Sequence, residues 1–136
     1  MAFVLDVSAT MSWLLGDERD ELAIGISEAV LEKGATVPPL WRWEIRNALL
    51  VAHRRGRISN AQISELLEDL TGMPIRIDLA SLETTDEAEL AFAERYQLSV
   101  YDAAYLELAW RMRRHLMTRD KQLIPAARDL NLFWEL

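Results

Sequence analysis

The stretch Ala2-Phe3-Val4-Leu5-Asp6-Val7-Ser8 sets the pattern for the whole chain. Its apolar run, Ala2 to Leu5, has the length of a buried β-strand, and a helical pattern follows it from about Ala9. An aspartate therefore stands where the predicted strand ends. Because strand-like and helix-like segments keep alternating after this point, the sequence predicts βαβ units and an α/β fold with a parallel sheet.

Outside this stretch, the chain shows no linker, repeat or low-complexity segment. Five short runs are predicted as strands: Ala2 to Leu5, Thr36 to Val37, Ile75 to Ile77, His115 to Met117 and Leu132 to Trp134. Seven stretches are predicted as helices, at about Ala9 to Leu15, Glu18 to Lys33, Leu40 to His53, Asn60 to Thr71, Thr85 to Tyr96, Asp102 to Arg113 and Lys121 to Asp129. Gly34 and Gly56 are expected to end helices and Ser59 to cap one. We expect a single domain over residues 1–136.

The composition is that of a folded protein without thiol chemistry. Hydrophobic residues make up 51% of the chain, which excludes a disordered protein. The absence of cysteine excludes disulfide scaffolds, thiolate zinc sites and cysteine catalysis. No apolar stretch approaches the roughly 20 residues that a membrane span needs. We therefore expect a cytoplasmic protein without a membrane partner.

The net charge of −7 argues against a polyanionic partner, but the basic residues are clustered. The two clusters are His53-Arg54-Arg55-Gly56-Arg57 and Arg111-Met112-Arg113-Arg114-His115. They have two interpretations, which the sequence leaves open. Either the clusters hold phosphates of a nucleic acid, or they complement the negative ends of the two helices that they close.

Four acidic residues stand out because each borders an apolar segment or begins a helix: Asp6, Glu44, Asp102 and Asp120. A charged side chain is costly in such a place unless it has a partner. If the fold brings these carboxylates together, their mutual repulsion requires a cation. The pattern thus favours a divalent-metal phosphodiesterase.

Several of these acids also have an ordinary structural interpretation. Asp6 or Ser8 could cap the helix after the first strand, and Asp102 could be an N-cap or a first-turn acid. Thr118 could likewise cap a helix that has Asp120 in its first turn. In the functional interpretation, Asp6 is a metal ligand, Ser8 orients a ligand or water, and Asp120 acts through water.

Glu44 lies at the margin of an apolar stripe on its predicted helix, with Asn47 one turn further along. The two would project a carboxylate and a supporting amide from one edge of the helix. Trp41 and Trp43 nearby could stack on bases, although core or dimer-interface roles are the more ordinary ones. No glycine loop for nucleotides, serine-hydrolase elbow or histidine metal motif is present.

These residues resemble PIN-domain ribonucleases, and specifically the VapC toxins of type II toxin–antitoxin pairs. The resemblance covers nearly the whole chain. It rests on Val4-Leu5-Asp6-Val7-Ser8, Pro39-Leu40-Trp41-Arg42-Trp43-Glu44-Ile45-Arg46-Asn47-Ala48-Leu49, Leu98-Ser99-Val100-Tyr101-Asp102-Ala103-Ala104-Tyr105-Leu106-Glu107-Leu108-Ala109 and Thr118-Arg119-Asp120-Lys121-Gln122-Leu123.

The resemblance implies a fold, a site and partners. The fold would be a three-layer α/β/α sandwich around a mainly parallel sheet of about five strands. The catalytic acids would be Asp6, Glu44, Asp102 and Asp120, with Asp6 and Asp102 as ligands of Mg²⁺ or Mn²⁺. The supporting side chains would be Ser8, Asn47 and Thr118. The implied partners are an RNA substrate, a second copy in a homodimer, and a VapB-like antitoxin that covers the site.

The mechanism that we expect is metal-assisted hydrolysis of an RNA phosphodiester. One alternative is a noncatalytic PIN-like module that binds RNA or protein. Another is a phosphatase with Asp6 as the nucleophile, but such enzymes carry a second aspartate two residues later, where this chain has Ser8. The Arg119 that precedes Asp120 departs from the apolar residue common in the family at that position.

Overall fold

The computed structural model describes residues 2–83 and 87–136, and these residues form an α/β sandwich. Its sheet has four strands: β1 (Phe3–Leu5), β2 (Ala35–Val37), β3 (Ile75–Ile77) and β4 (Leu116–Met117). The strand order is β3-β2-β1-β4, and every neighbouring pair is parallel. The predicted fold class is therefore confirmed, as are the first four predicted strands.

The fifth predicted strand, Leu132 to Trp134, forms no strand of its own. Phe133 makes one parallel bridge to Leu116, flanked by hydrogen bonds from the Leu116 N–H to the Leu132 carbonyl and from the Trp134 N–H to the Leu116 carbonyl. Because β4 is only two residues long, it offers too short an edge for a longer ladder. The sheet thus has four strands and one added bridge.

Helices connect the strands, and the described residues contain seven of them. They are α1 (Val7–Leu14), α2 (Glu21–Lys33), α3 (Leu40–Arg54), α4 (Asn60–Thr71), α5 (Ala88–Tyr96), α6 (Val100–Met112) and α7 (Leu123–Asp129). The predicted start of the fifth helix at Thr85 lies outside the described residues. No helix in the described part of the chain has both the length and the apolar character that a membrane crossing requires.

Capping explains several helix boundaries. Asp20 accepts a hydrogen bond from the Ala23 N–H, so α2 begins at Glu21 rather than at Glu18. Ser59 and Gln62 form a capping box at the start of α4, which confirms the predicted cap. Gly34 ends α2 with φ near +80°, a conformation that favours glycine.

The sheet is covered on both faces. Val4 and Leu5 are adjacent in β1 and both are 0% exposed. Since successive strand residues point to opposite faces, each face must be packed against other elements. Helix α6 packs on β1, and α1 packs against α2 and α3. These contacts give the three layers of the sandwich.

The topology brings three chain segments to one edge of the sheet. Leu5 pairs with Met117, so the residues that follow β1 and β4 leave the sheet side by side. The segment after β2 leaves beside them and leads into α3. The carboxyl edge of a parallel sheet is where ligands bind in open α/β folds.

Candidate active site

Asp6 lies at the centre of this edge and is held by three hydrogen bonds. Its Oδ1 accepts from the Ser8 hydroxyl at 2.7 Å and from the Ala9 N–H at 2.9 Å. Its Oδ2 accepts from the Thr118 hydroxyl at 2.5 Å. The side chain is only 4% exposed. Asp6 is therefore the N-cap of α1, and its carboxylate is also fixed in orientation from two sides.

Ser8 and Thr118 connect Asp6 to the loop after β4. The Ser8 hydroxyl oxygen accepts from the Arg119 N–H at 2.8 Å, and the Thr118 hydroxyl oxygen accepts from the Asp120 N–H at 3.0 Å. Both predicted hydroxyl residues thus contact Asp6 directly. The Arg119 guanidinium makes two 2.8 Å hydrogen bonds to Asp20, so this departure from the family pattern fixes the loop to the start of α2.

Glu44 projects from the second turn of α3 and is half-buried. Its Oε1 accepts a hydrogen bond from the Tyr105 hydroxyl at 2.5 Å. Tyr105 is 2% exposed and belongs to α6, one turn after Asp102. The contact therefore joins the two helices that carry Glu44 and Asp102.

Asp102 and Asp120 complete the set of acids. Asp102 lies in the first turn of α6, where its N–H donates to the capping Ser99 hydroxyl at 3.1 Å. Asp120 accepts from the backbone N–H groups of Gln122 and Leu123 just before α7. The position of Asp102 matches its ordinary interpretation as a first-turn acid. For Asp120 that interpretation is wrong in detail, because Asp120 lies before α7 instead of in its first turn. The Asp120 Oδ2 has no described hydrogen bond.

The carboxylates are near enough to repel one another. Burial raises the pKa of Asp6 from 3.8 to about 6, against the lowering effect of its hydrogen bonds, and the charge of Asp120 raises it further. Burial also raises the pKa of Asp102, again with a contribution from Asp120. For Glu44, burial raises the pKa first and the charge of Asp102 adds to it. Asp120 thus repels both Asp6 and Asp102, and Asp102 in turn repels Glu44.

This donor set fits a hard divalent cation bound by few protein ligands. Among the described residues, no group of three or more His, Cys, Asp or Glu side chains is arranged to bind one metal ion. Mg²⁺ usually keeps several waters and needs only one or two carboxylates. Asp6 and Asp102, with Asp120 acting on both, offer such oxygens, and a cation would offset the repulsion that raises their pKa values.

Asn47 is exposed on α3, one turn after Glu44, and no hydrogen bond of its side chain is described within residues 2–83 and 87–136. Its role as a supporting amide beside Glu44 stays a prediction.

The two basic clusters lie near the far ends of the helices that carry Glu44 and Asp102. Each begins nine residues after the candidate acid on the same helix, which is about 14 Å at 1.5 Å per residue. Arg111 pairs with the buried Glu107 at 2.8 Å and with Asp78 at 2.7 Å, and Arg57 pairs with Asp17 at 2.8 Å. These ion pairs fit the helix-end interpretation. The contact of the clusters with phosphates stays a prediction.

Two contacts at the site are not predicted from the sequence. One is made by Tyr105, and its position one turn after Asp102, on the same side of α6, is the signal in the sequence that indicates its place near the acids. The Trp41 indole N–H donates to the Thr10 hydroxyl at 3.1 Å, and that hydroxyl donates to the Asp6 carbonyl at 2.7 Å. Trp41 is thus a core residue that ties α3 to α1, whereas Trp43 is 63% exposed.

Comparison with known proteins gives a relative that spans almost the whole chain. The chain is 31% identical over 124 residues to Ribonuclease VapC3 of Pyrobaculum aerophilum. The match covers 90% of this chain and 92% of the relative. No protein-family model matches the sequence.

A solved structure shares the fold. The crystal structure of PAE2754 from Pyrobaculum aerophilum matches with a TM-score of 0.68 over 93% of this chain and 79% of that chain. The two sequences are 24% identical, so this likeness concerns the fold alone.

Proposed function

Because the chain belongs to the VapC family of PIN-domain ribonucleases, the toxins of type II toxin–antitoxin pairs, we propose that it is a Mg²⁺- or Mn²⁺-dependent endoribonuclease. Its nuclease domain would span residues 1–136. The substrate is RNA, and the reaction is hydrolysis of a phosphodiester bond.

One observation carries this proposal: acids from four separate segments repel one another at the carboxyl edge of the sheet. Asp6 follows β1, Glu44 is on α3, Asp102 is on α6, and Asp120 follows β4. The pKa values of Asp6, Glu44 and Asp102 are all raised, each with a contribution from another member of the set. Such an arrangement costs stability unless the site binds a cation.

In the proposed site, Asp6 and Asp102 would hold the cation directly, and Asp120 would act through water. Ser8 and Thr118 keep the Asp6 carboxylate in one orientation, because together they donate to both of its oxygens. Glu44 faces the same space from α3 and accepts the proton of an attacking water or orients that water.

When bound, the divalent cation supplies a more acidic water and neutralises charge on the phosphate. The protein contributes a preformed set of oxygens, since Asp6 and Glu44 are already fixed by hydrogen bonds to neighbouring elements. Pre-orientation of this kind lowers the cost of ordering the site when substrate binds.

Family membership supports two protein partners as well. We propose a homodimer and a VapB-like antitoxin that inhibits the nuclease by covering its acidic site. The surplus of acid in the chain, with a net charge of −7, favours a basic antitoxin segment.

A cleavage assay tests the proposed activity. Purified protein without antitoxin is incubated with a panel of structured RNAs in Mg²⁺, Mn²⁺ or EDTA, and products are separated on gels. We expect discrete cuts with either cation and none in EDTA. Asp102→Asn should reduce the rate at least 100-fold, as expected when a metal ligand is lost.

Asp69→Asn is the matched control, because Asp69 is an exposed acid of α4 outside the candidate set. It should cleave like the wild type. Equal cutting by the wild type and Asp102→Asn would contradict the proposed site, and RNA binding without any cutting would favour the noncatalytic module.

A further inference from the structure

Within residues 2–83 and 87–136, Tyr105 is an aromatic side chain that donates a hydrogen bond to one of the four acids. It is 2% exposed, and its hydroxyl donates to the Glu44 Oε1 at 2.5 Å. The charges of Asp6 and Asp102 also act on this hydroxyl, so it lies within the acidic cluster rather than beside it.

A buried tyrosine usually finds some hydrogen-bond partner, so the bond alone would not imply a role. The choice of partner is what matters here. Tyr105 spans from α6 to α3 and donates to a half-buried carboxylate, although a phenylalanine ring would fill the same space in the core. The described hydrogen bond of this hydroxyl goes to Glu44.

The hydrogen bond from Tyr105 fixes the Glu44 side chain, which could otherwise adopt several rotamers. Glu44 has three rotatable side-chain bonds and lies at the margin of α3, where solvent would allow several rotamers. A hydrogen bond to a carboxylate is stronger than one between neutral groups. With Oε1 held by Tyr105, Oε2 remains without a described hydrogen bond and is available to a ligand.

A tyrosine suits this position better than a positively charged side chain would. Lysine or arginine would neutralise Glu44 and compete with a bound metal ion. The neutral phenol orients the carboxylate and leaves its charge in place.

We propose that Tyr105 is a positioning residue that holds the Glu44 carboxylate toward the metal and its water. This inference rests on the proposed nuclease function. Tyr105 is buried and touches neither RNA nor metal; it acts through Glu44, and it links the orientation of α3 to that of α6.

The test compares Tyr105→Phe with Tyr101→Phe. Tyr101 is on the same helix, but it is 67% exposed, so its variant removes a phenol that has no part in the cluster. For Tyr105→Phe we expect Mn²⁺ to bind about 10-fold more weakly by calorimetry and kcat to fall by about the same factor. The KM for RNA should stay unchanged, and thermal unfolding should shift little.

A Glu44→Ala background separates positioning from a general structural role. If Tyr105 acts through Glu44, Tyr105→Phe should cause no further loss of Mn²⁺ affinity once the carboxylate is gone. Equal losses in both backgrounds would overturn the inference, and so would a Tyr105→Phe variant that matches Tyr101→Phe in Mn²⁺ affinity and kcat.

The wild type distinguishes this inference from the function on which it rests. If the wild-type protein binds Mn²⁺ and cleaves RNA, failure of the Tyr105 comparison contradicts only the positioning role. If the wild type neither binds Mn²⁺ nor cleaves RNA, the proposed function fails, and the inference fails with it.

Discussion

Burial sets Asp6 apart from the other carboxylates of the site. Its side chain is 4% exposed, and it accepts three hydrogen bonds from α1 and the loop after β4. These hydrogen bonds favour the charged form, but the loss of solvent outweighs them and raises the pKa to about 6. At neutral pH without a cation, the charged form of Asp6 is thus less stable in the folded protein than it would be in water.

We predict that this carboxylate makes the metal-free protein less stable as pH rises. Because the pKa of Asp6 is about 6 in the folded state and 3.8 unfolded, the folded state binds more protons between these values. The free energy of unfolding should therefore fall as pH rises from about 4 to about 6, by at most about 3 kcal/mol. The Asp6→Asn variant should lack this part of the fall in the free energy of unfolding.

Denaturant unfolding in EDTA at a series of pH values measures the effect. The quantity to compare is the difference between the wild type and Asp6→Asn, since Asp17, Asp20 and Asp78 have lowered pKa values and act in the opposite direction. A difference that does not change with pH would contradict the raised pKa of Asp6.

Single residues differed in how far the sequence predicted them. Asp6 and Ser8 were predictable because they follow a buried strand, and Thr118 because it follows another. The partner of Glu44 was not, since the contact between Tyr105 and Glu44 joins residues 61 positions apart. Only the tertiary fold, which brings α6 within reach of α3, creates it, and periodicity within one helix carries no such information.

At the scale of elements, α6 has two separate tasks. Its first turns carry Asp102 and Tyr105, and its last turns carry Glu107 and Arg111. Glu107 is 1% exposed, and Arg111 links it to Asp78 after β3. This network anchors the end of α6 that lies away from the site.

We predict that Arg111→Met lowers stability and leaves the chemistry intact. The variant leaves Glu107 buried without its cation, which costs about 3–5 kcal/mol in comparable pairs. Urea unfolding should show this loss, and Glu107→Gln/Arg111→Met should recover part of it because position 107 then carries no buried charge. Cleavage per folded molecule should stay close to wild type; a large loss of kcat or a raised KM for RNA would instead restore Arg111 as a substrate contact.

Most elements were predictable from hydrophobic patterns and caps. The first four strands and seven α-helices of the described residues overlap the predicted segments, although several helix ends differ by two or three residues. Apolar periodicity and residues such as Ser59 and Gly34 act locally, so they can be recognised in the sequence. The fifth strand failed because its pairing depends on the length of β4, which is a property of the neighbour. The basic clusters were ambiguous because helix ends attract cations whatever their function.

At the scale of the whole molecule, the acidic site and the net charge of −7 both destabilise the folded state. Bringing like charges together opposes folding, and a bound cation opposes that repulsion. The way in which the strands carry residues to the site was implied by the family resemblance. The hydrophobic pattern of the sequence alone left it open. Strand order, in particular, depends on packing among distant segments.

We predict that Mn²⁺ stabilises the folded protein through this site. A ligand that binds only the folded state adds about 2.7 kcal/mol to the free energy of unfolding at 100 times its Kd. Thermal unfolding should therefore shift upward as Mn²⁺ is added to the wild type and to Asp69→Asn. A shift of equal size in Asp6→Asn/Asp102→Asn would mean that the cation binds elsewhere.

We propose that acids from four segments act as one metal-dependent site. The most direct test measures kcat in Mn²⁺ on one cleaved RNA for Asp6→Asn, Glu44→Gln, Asp102→Asn and Asp120→Asn, and for Asp6→Asn/Asp102→Asn. We expect large losses of kcat for the first three variants and a smaller loss for Asp120→Asn. The double variant should be hardly worse than its worse parent, since residues that work as a unit are not additive. Wild-type rates in Asp6→Asn or Asp102→Asn would contradict it.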